Sequence, residues 1–335
     1  MLSEMIRNKA EELGYTACGI IPAVTFDEYL KGVDERSELF PQSKKHYDKY
    51  RDFAYLPKGG KSIIVCTQRY NSYSIPAGMD LLYGKMYLFD GRISYSAENR
   101  RNTEFETFMK INELNVFECA VPDRWAAARA GLGTFGRNNF IYDPNHGSYI
   151  SLEAWVVDKE LEYDTAPENC YAPVCNDNCH KCIDACPTKA LTGKLTMDMG
   201  RCICRVQFDD EDALDEELRE KMGVWIYGCD ACQDVCPMNK GKFNEASPFP
   251  MLKEFLDFLT PEAVLAMDEY TYRNILNPRF WYAGEDGLWL WKCNTIRSMV
   301  NSGDSKYHDL IRQNCVNSDE RIGKIAKWGC KKLGI

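Results

Sequence analysis

The sequence predicts an α+β protein in three parts, and three observations predict it. Short β-branched runs alternate with helical patterns over the first half, ten of the sixteen cysteines crowd into one central stretch, and from about Pro261 apolar residues recur every three to four positions. These composition shifts place an α/β domain at residues 1–166, a cysteine-rich module at 167–245 and a helical domain at 246–335.

The opening segment to Leu13 reads as a short helix, and Ala17-Cys18-Gly19-Ile20-Ile21 as a strand. Ser62-Ile63-Ile64-Val65-Cys66 is apolar on both faces and follows the turn Pro57-Lys58-Gly59-Gly60, so a strand covered by helices is expected there. Arg101 to Leu114 is helical in pattern, Val116 to Val121 suits a strand, and Pro122-Asp123 opens a helix running to Ala130. Ile150 to Val157 is a further strand, and a polar helix from Asp210 to Met222 separates two cysteine clusters. Near the end, Gly287–Val300, Ser305–Cys315 and Asp319–Leu333 read as helices, the last with an N-cap at Asn317-Ser318-Asp319. Short paired helices suggest a HEAT-like stack.

A chain of 335 residues, 45% hydrophobic, can bury a core. Its net charge of -9 works against general polyanion binding, so any nucleic-acid contact has to be local. The start has no basic segment leading into an apolar one, and no run of about 18 apolar residues occurs. The expectation is a cytoplasmic, monomeric protein with no membrane partner. In that compartment a high cysteine count points to metal or redox chemistry rather than disulfides.

The first cluster reads Cys175-x3-Cys179-x2-Cys182-x3-Cys186-Pro187 and the second Cys229-x2-Cys232-x3-Cys236-Pro237, with Cys202 between them. A cubane takes three thiolates from one tight loop and a fourth from elsewhere, and in two-cluster ferredoxins the Cys-Pro cysteine of each run serves the other cluster. That rule assigns Cys175, Cys179, Cys182 and Cys236 to one [4Fe-4S] cluster, and Cys202, Cys229, Cys232 and Cys186 to the other. Two four-cysteine zinc sites are the alternative, but zinc motifs do not call for a three-residue gap to Cys-Pro in both runs. Cys170 and Cys204 are spare, and His180 is read as a neighbour rather than a ligand.

The stretch from Asp123-Arg124-Trp125 through Arg129-Ala130-Gly131-Leu132-Gly133-Thr134-Phe135-Gly136-Arg137-Asn138 resembles the epoxyqueuosine reductase family. So do Gly147-Ser148-Tyr149, Cys182-Ile183-Asp184-Ala185-Cys186-Pro187-Thr188, Arg201-Cys202-Ile203 and Tyr227-Gly228-Cys229-Asp230-Ala231-Cys232-Gln233. The resemblance implies a base-off cobalamin lying between the first domain and the nearer cluster, held by Arg124, Gly136, Asn138, Ile141 and Leu152 and by Asp230 beside the second cluster. It also implies a relay, in which an external low-potential electron donor loads the clusters and these reduce cob(II)alamin and then substrate. The family's proton-donating aspartate falls at Phe117 here, leaving the adjacent Glu118 as the candidate acid. The substrate is then tRNA or, in a paralogue, a small molecule; the alternative role is that of an electron carrier for a separate corrinoid protein. For tRNA, Asn239-Lys240-Gly241-Lys242 and the Arg321, Lys324, Lys327, Lys331 and Lys332 stripe supply local positive charge.

Overall fold

In the computed structural model, which describes residues 1–79, 81–89, 97–208, 214–243, 247–249 and 252–335, the strand after Pro57-Lys58-Gly59-Gly60 is central in the N-terminal sheet. Four strands form that sheet: β1 (Ala17–Pro22), β2 (Ser62–Arg69), β3 (Val116–Phe117) and β4 (Ile150–Val157). Their order is β1-β2-β4-β3, antiparallel throughout. Side chains alternate across β2, and each set has its own core. Ile64 and Cys66 pack with Ile6, Ala10, Phe105 and Met109 of the helices α1 (Leu2–Glu12) and α4 (Ala97–Ile111). Ile63 and Val65 pack with Phe26, Ala126 and Ala127 on the other face. Helices on both sides therefore explain why β2 is apolar throughout, although the sheet is antiparallel rather than doubly wound.

Three helices build one wall of the domain: α2 (Asp27–Leu39), α3 (Lys44–Arg51) and α5 (Asp123–Arg129). The alanines of α5 let it lie close to the sheet. At Gly19 of β1 an added Cβ would stand 2.6 Å from the Ala130 Cβ, so both must stay small. The strand expected over Val116 to Val121 pairs for Val116 and Phe117 alone. Pro122 has no N–H to give a ladder and instead starts α5, so the chain leaves the sheet before it.

The cysteine module is joined to the sheet domain by buried polar contacts. Ser148 N donates to Asn239 Oδ1 at 2.9 Å, while Asn239 Nδ2 donates to Ser148 Oγ at 2.8 Å and to Gln233 O at 2.9 Å. Gly147 has φ +63, and a Cβ there would meet Asn239 Oδ1 at 2.2 Å, so this junction requires glycine. The helix expected from Asp210 is observed as Glu216–Lys221, capped by Asp215 accepting from Leu218 N at 2.6 Å. The acidic patch Asp209-Asp210-Glu211-Asp212 lies outside the described residues.

At the C-terminal end, α10 (Leu288–Ser302) is buried almost all round, between α11 (His308–Asn314) and α12 (Glu320–Leu333) on one side and the cysteine module on the other. Asn294 Nδ2 donates to Gln207 O and Ser298 Oγ to Val224 O, tying the helices to the module. Between α5 and α10 the module contributes α6 (Lys181–Ala185), α7 (Ile203–Val206), α8 (Glu216–Lys221) and α9 (Ala231–Asp234). No helix among the described residues is long and apolar enough to cross a membrane.

Candidate functional site

Each cysteine run leads into a short helix, α6 or α9, and these two helices pack on each other. Proline after Cys186 and Cys236 ends each helix and turns the last cysteine of the run across towards the other loop. The thiols of the two runs approach one another across this pair of helices. Burial pushes Cys182 up to about 11, and the thiols of Cys175, Cys236 and Cys179 push it the same way. Burial likewise raises Cys236, with Cys175 and Cys179 adding to it. Cys229 is raised by burial and by Cys202 and Cys186, and Cys232 by burial and by Cys202 and Cys229. Four thiols, those of Cys182, Cys229, Cys232 and Cys236, whose charge burial and neighbouring thiols disfavour, suit a metal core that takes up the charge. Cys204 lies beside the second set, donating to Cys229 O at 3.3 Å and sharing a hydrogen bond with the Cys202 thiol.

Beside this module lies a cavity of about 390 Å³. One wall comes from α2 and α3, through Tyr29, Val33, Arg36, Tyr47 and Tyr50; a second from Val121 to Trp125; a third from Phe135, Asn139, Phe140 and Ile141 with Ser148, Ile150, Ser151 and Leu152. Met197 and Met199 close the side next to Cys202. Tyr47 OH donates to Met197 O at 2.6 Å and accepts from Met199 N at 3.1 Å, fixing this segment against α3. The walls are broad, aromatic and mostly apolar, with few polar groups, as a large flat ligand needs.

Of the cofactor-binding candidates, Arg124, Ile141 and Leu152 line the cavity. Arg124 Nη1 donates to Asn139 O at 2.6 Å, so it also holds the loop from which Ile141 projects. Gly136 and Asn138 stand behind that loop. A Cβ at Gly136 would meet the Tyr142 ring at 2.4 Å, so packing on Tyr142 rather than on a ligand accounts for this glycine. Asn138 is buried and donates to Tyr142 OH at 2.9 Å and to Cys232 O at 3.2 Å, linking the loop to the second cysteine set. Asp230 is also one layer back. Its carboxylate accepts from Lys85 N at 2.7 Å, Lys85 Nζ at 3.4 Å and Gln233 Nε2 at 3.1 Å, anchoring the short helix that puts Met86 into the cavity wall. Burial pushes its carboxyl up, against the pull of Lys85.

Glu118 is exposed and does not line the cavity, because the chain has already left the sheet at this point. Phe117 is half-buried in the core between β2 and α5. Sequence reasoning missed Asp123, which among the described residues contributes the one carboxylate of the lining, and it missed Arg36 and the tyrosines. A signal was present. Tyr29, Val33 and Arg36 fall at i, i+4 and i+7, one face of a helix, and Tyr47 and Tyr50 at i and i+3. In the proposed tRNA stripe, Arg321 lies over the Trp289 ring and is bonded to Asp319, and Lys332 is paired with Glu220 at 2.6 Å.

Comparison with known proteins accords with this geometry. Residues 175–239, which hold all eight cysteines, match the 4Fe-4S double cluster binding domain. The epoxyqueuosine reductase of Bacillus anthracis is 30% identical over 97% of this chain and 87% of its own length. That of Leadbetterella byssophila is 31% identical over 76% of this chain and 87% of its own. A crystal structure of an epoxyqueuosine reductase with an epoxyqueuosine-modified tRNA-Tyr stem loop superposes with a TM-score of 0.80, at 24% identity, covering 100% of this chain and 90% of that one. The chain belongs to the epoxyqueuosine reductase family and is an iron–sulfur reductase.

Proposed function

We propose that the chain binds a base-off corrinoid in the cavity beside Cys202 and reduces a bound substrate with electrons delivered through two [4Fe-4S] clusters. The observation that carries the reading is the position of Met197 and Met199, which line the cavity and lie in sequence just before Cys202. A cluster held by Cys202, Cys229, Cys232 and Cys186 is then the nearer one to the cavity. Cys175, Cys179, Cys182 and Cys236 hold the other, whose loop at residues 176–178 is exposed and open to an external electron donor. The corrinoid supplies a low-potential, strongly nucleophilic metal centre.

The protein's own residues do the rest. Trp125, Phe135, Phe140 and Ile150 keep water from the cavity, and the loop 136–141 fixes Ile141 against it. Reduction of an epoxide to an alkene needs a proton for the departing oxygen. Asp123 supports that role by its place in the lining, where Glu118 has none. The finer domain layout, 1–166, 167–245 and 246–335 with HEAT-like final helices, is supported by the packing of α10, α11 and α12 on one another.

The relative whose crystal structure holds an epoxyqueuosine-modified stem loop favours tRNA as the substrate. Phe117, at the family's acid position, favours instead a substrate that is not an epoxide. Anaerobic reconstitution tests the reading: about eight irons per chain, binding of one added cobalamin, and conversion of epoxyqueuosine in hypomodified tRNA are expected. Failure to bind cobalamin with clusters in place overturns it. Asp123→Asn is expected to lower turnover by about 10²- to 10⁴-fold with clusters and cobalamin binding intact, measured by single-turnover assay.

A further inference from the structure

A second feature of the same cavity concerns charge, and it rests on the reading above. The lining brings in two guanidiniums from separate elements, Arg36 from α2 and Arg124 from α5, against the single carboxylate of Asp123. One net positive charge therefore remains at a site in a chain whose net charge is -9. Among the described residues each arginine is anchored by a backbone carbonyl: Arg36 Nη1 donates to Leu195 O at 3.0 Å and Arg124 Nη1 to Asn139 O at 2.6 Å. A guanidinium carries five donors, so both keep others for a ligand.

Two other polar groups of that wall are turned to the backbone. Tyr29 OH donates to Tyr50 O at 2.7 Å, and Tyr47 OH to Met197 O. Arg124 is open to the cavity, yet protein surrounds it. Burial holds both arginines below the ordinary arginine range, and for Arg36 the charge of Arg124 adds to the effect. Two cations kept side by side in one apolar-walled cavity repel each other, and an anion between them relieves that cost. The planar fork of arginine matches phosphate oxygens in two-point contacts.

We propose that Arg36 and Arg124 form a phosphate clamp, holding the phosphate of the corrinoid's nucleotide arm or a phosphate of the substrate. The clamp orients its ligand within the cavity and touches none of the reacting atoms.

The test is calorimetry on the full chain with its clusters reconstituted, using inorganic phosphate, cobalamin, cobinamide, which lacks the nucleotide arm and its phosphate, and an anticodon stem-loop RNA. Inorganic phosphate is expected to bind the wild type in the millimolar range and at least tenfold more weakly to Arg36→Gln and Arg124→Gln, with Arg36→Lys retaining part of the affinity. A tenfold loss for cobalamin with cobinamide unchanged assigns the clamp to the nucleotide arm. A tenfold loss for the RNA with cobalamin unchanged assigns it to the substrate. The clamp is overturned if the wild type does not bind phosphate, or if both glutamine variants bind every probe as the wild type does. Iron content and thermal unfolding report folding, and if Arg124→Gln does not fold, Arg36→Gln decides alone. A wild type that binds phosphate but no corrinoid removes the proposed function and leaves the clamp standing.

Discussion

The sheet domain and the cysteine module bury comparable chemistry for opposite reasons. In the sheet domain β2 is sealed on both faces by aliphatic and aromatic side chains, and its lone thiol, Cys66, is raised by burial and by the Cys18 thiol paired with it across the strands. Apolar burial sustains that region with no help from a ligand. In the module, the thiols of Cys182, Cys229, Cys232 and Cys236 are buried beside other thiols and beside little else that could offset their charge. Its apolar contacts are small patches, such as that of Cys182, Cys186, Ala190 and Leu191. The lesson is that one region is held by its core, and the other by what its sulfurs bind.

Removing iron should separate the two most strongly. Anaerobic chelation is expected to cut hydrogen-exchange protection in residues 181–186 and 229–236 on the order of 100-fold, while β2 amides keep theirs. Equal loss in both regions would mean that the sheet domain also depends on the clusters. Ile64→Ala tests the other side. It removes a fully buried side chain from the core under α1 and α4 and is expected to cost about 2–5 kcal/mol in the unfolding of the sheet domain, with iron content unchanged.

Gly147→Ala addresses the junction. The positive φ and the contact with Asn239 predict a cost of about 1–3 kcal/mol, seen as two separated thermal transitions where the wild type shows one. The smallest effect is one of pH. In the metal-free chain the folded Cys182 thiol titrates at about 11 against an ordinary 9.0, so the folded state keeps a proton that the unfolded state gives up. Its contribution is fully present below pH 9 and is lost as pH rises towards 11. The iron-loaded chain, whose thiolates are already deprotonated, should show no such slope in denaturant titrations at pH 8 to 11.

Much of the fold was legible because its signals are local. The β-branched run at Ser62 to Cys66 and the strand Ile150 to Val157 appear where expected, since the period of a strand is written in consecutive residues. The expected Val116 to Val121 strand is shorter, since pairing stops at Phe117 and the chain turns away towards Pro122 and α5. Glu118 lies outside the cavity lining for a related reason. Neighbourhood along the chain does not bring a side chain to a cavity once the strand that would carry it has ended.

The cysteine runs themselves were set by the sequence alone. A cluster loop closes over a few residues, so the spacing of Cys179, Cys182 and Cys186, or of Cys229, Cys232 and Cys236, is itself the geometry of the ligands. Which thiols stand together across the two runs, and the cavity beside Cys202, are properties of packing. Arg36, Asp123, Arg124 and Met199 meet there only because α2, α5 and the segment before Cys202 lie against one sheet, and no local period records the distance between elements so far apart in the chain.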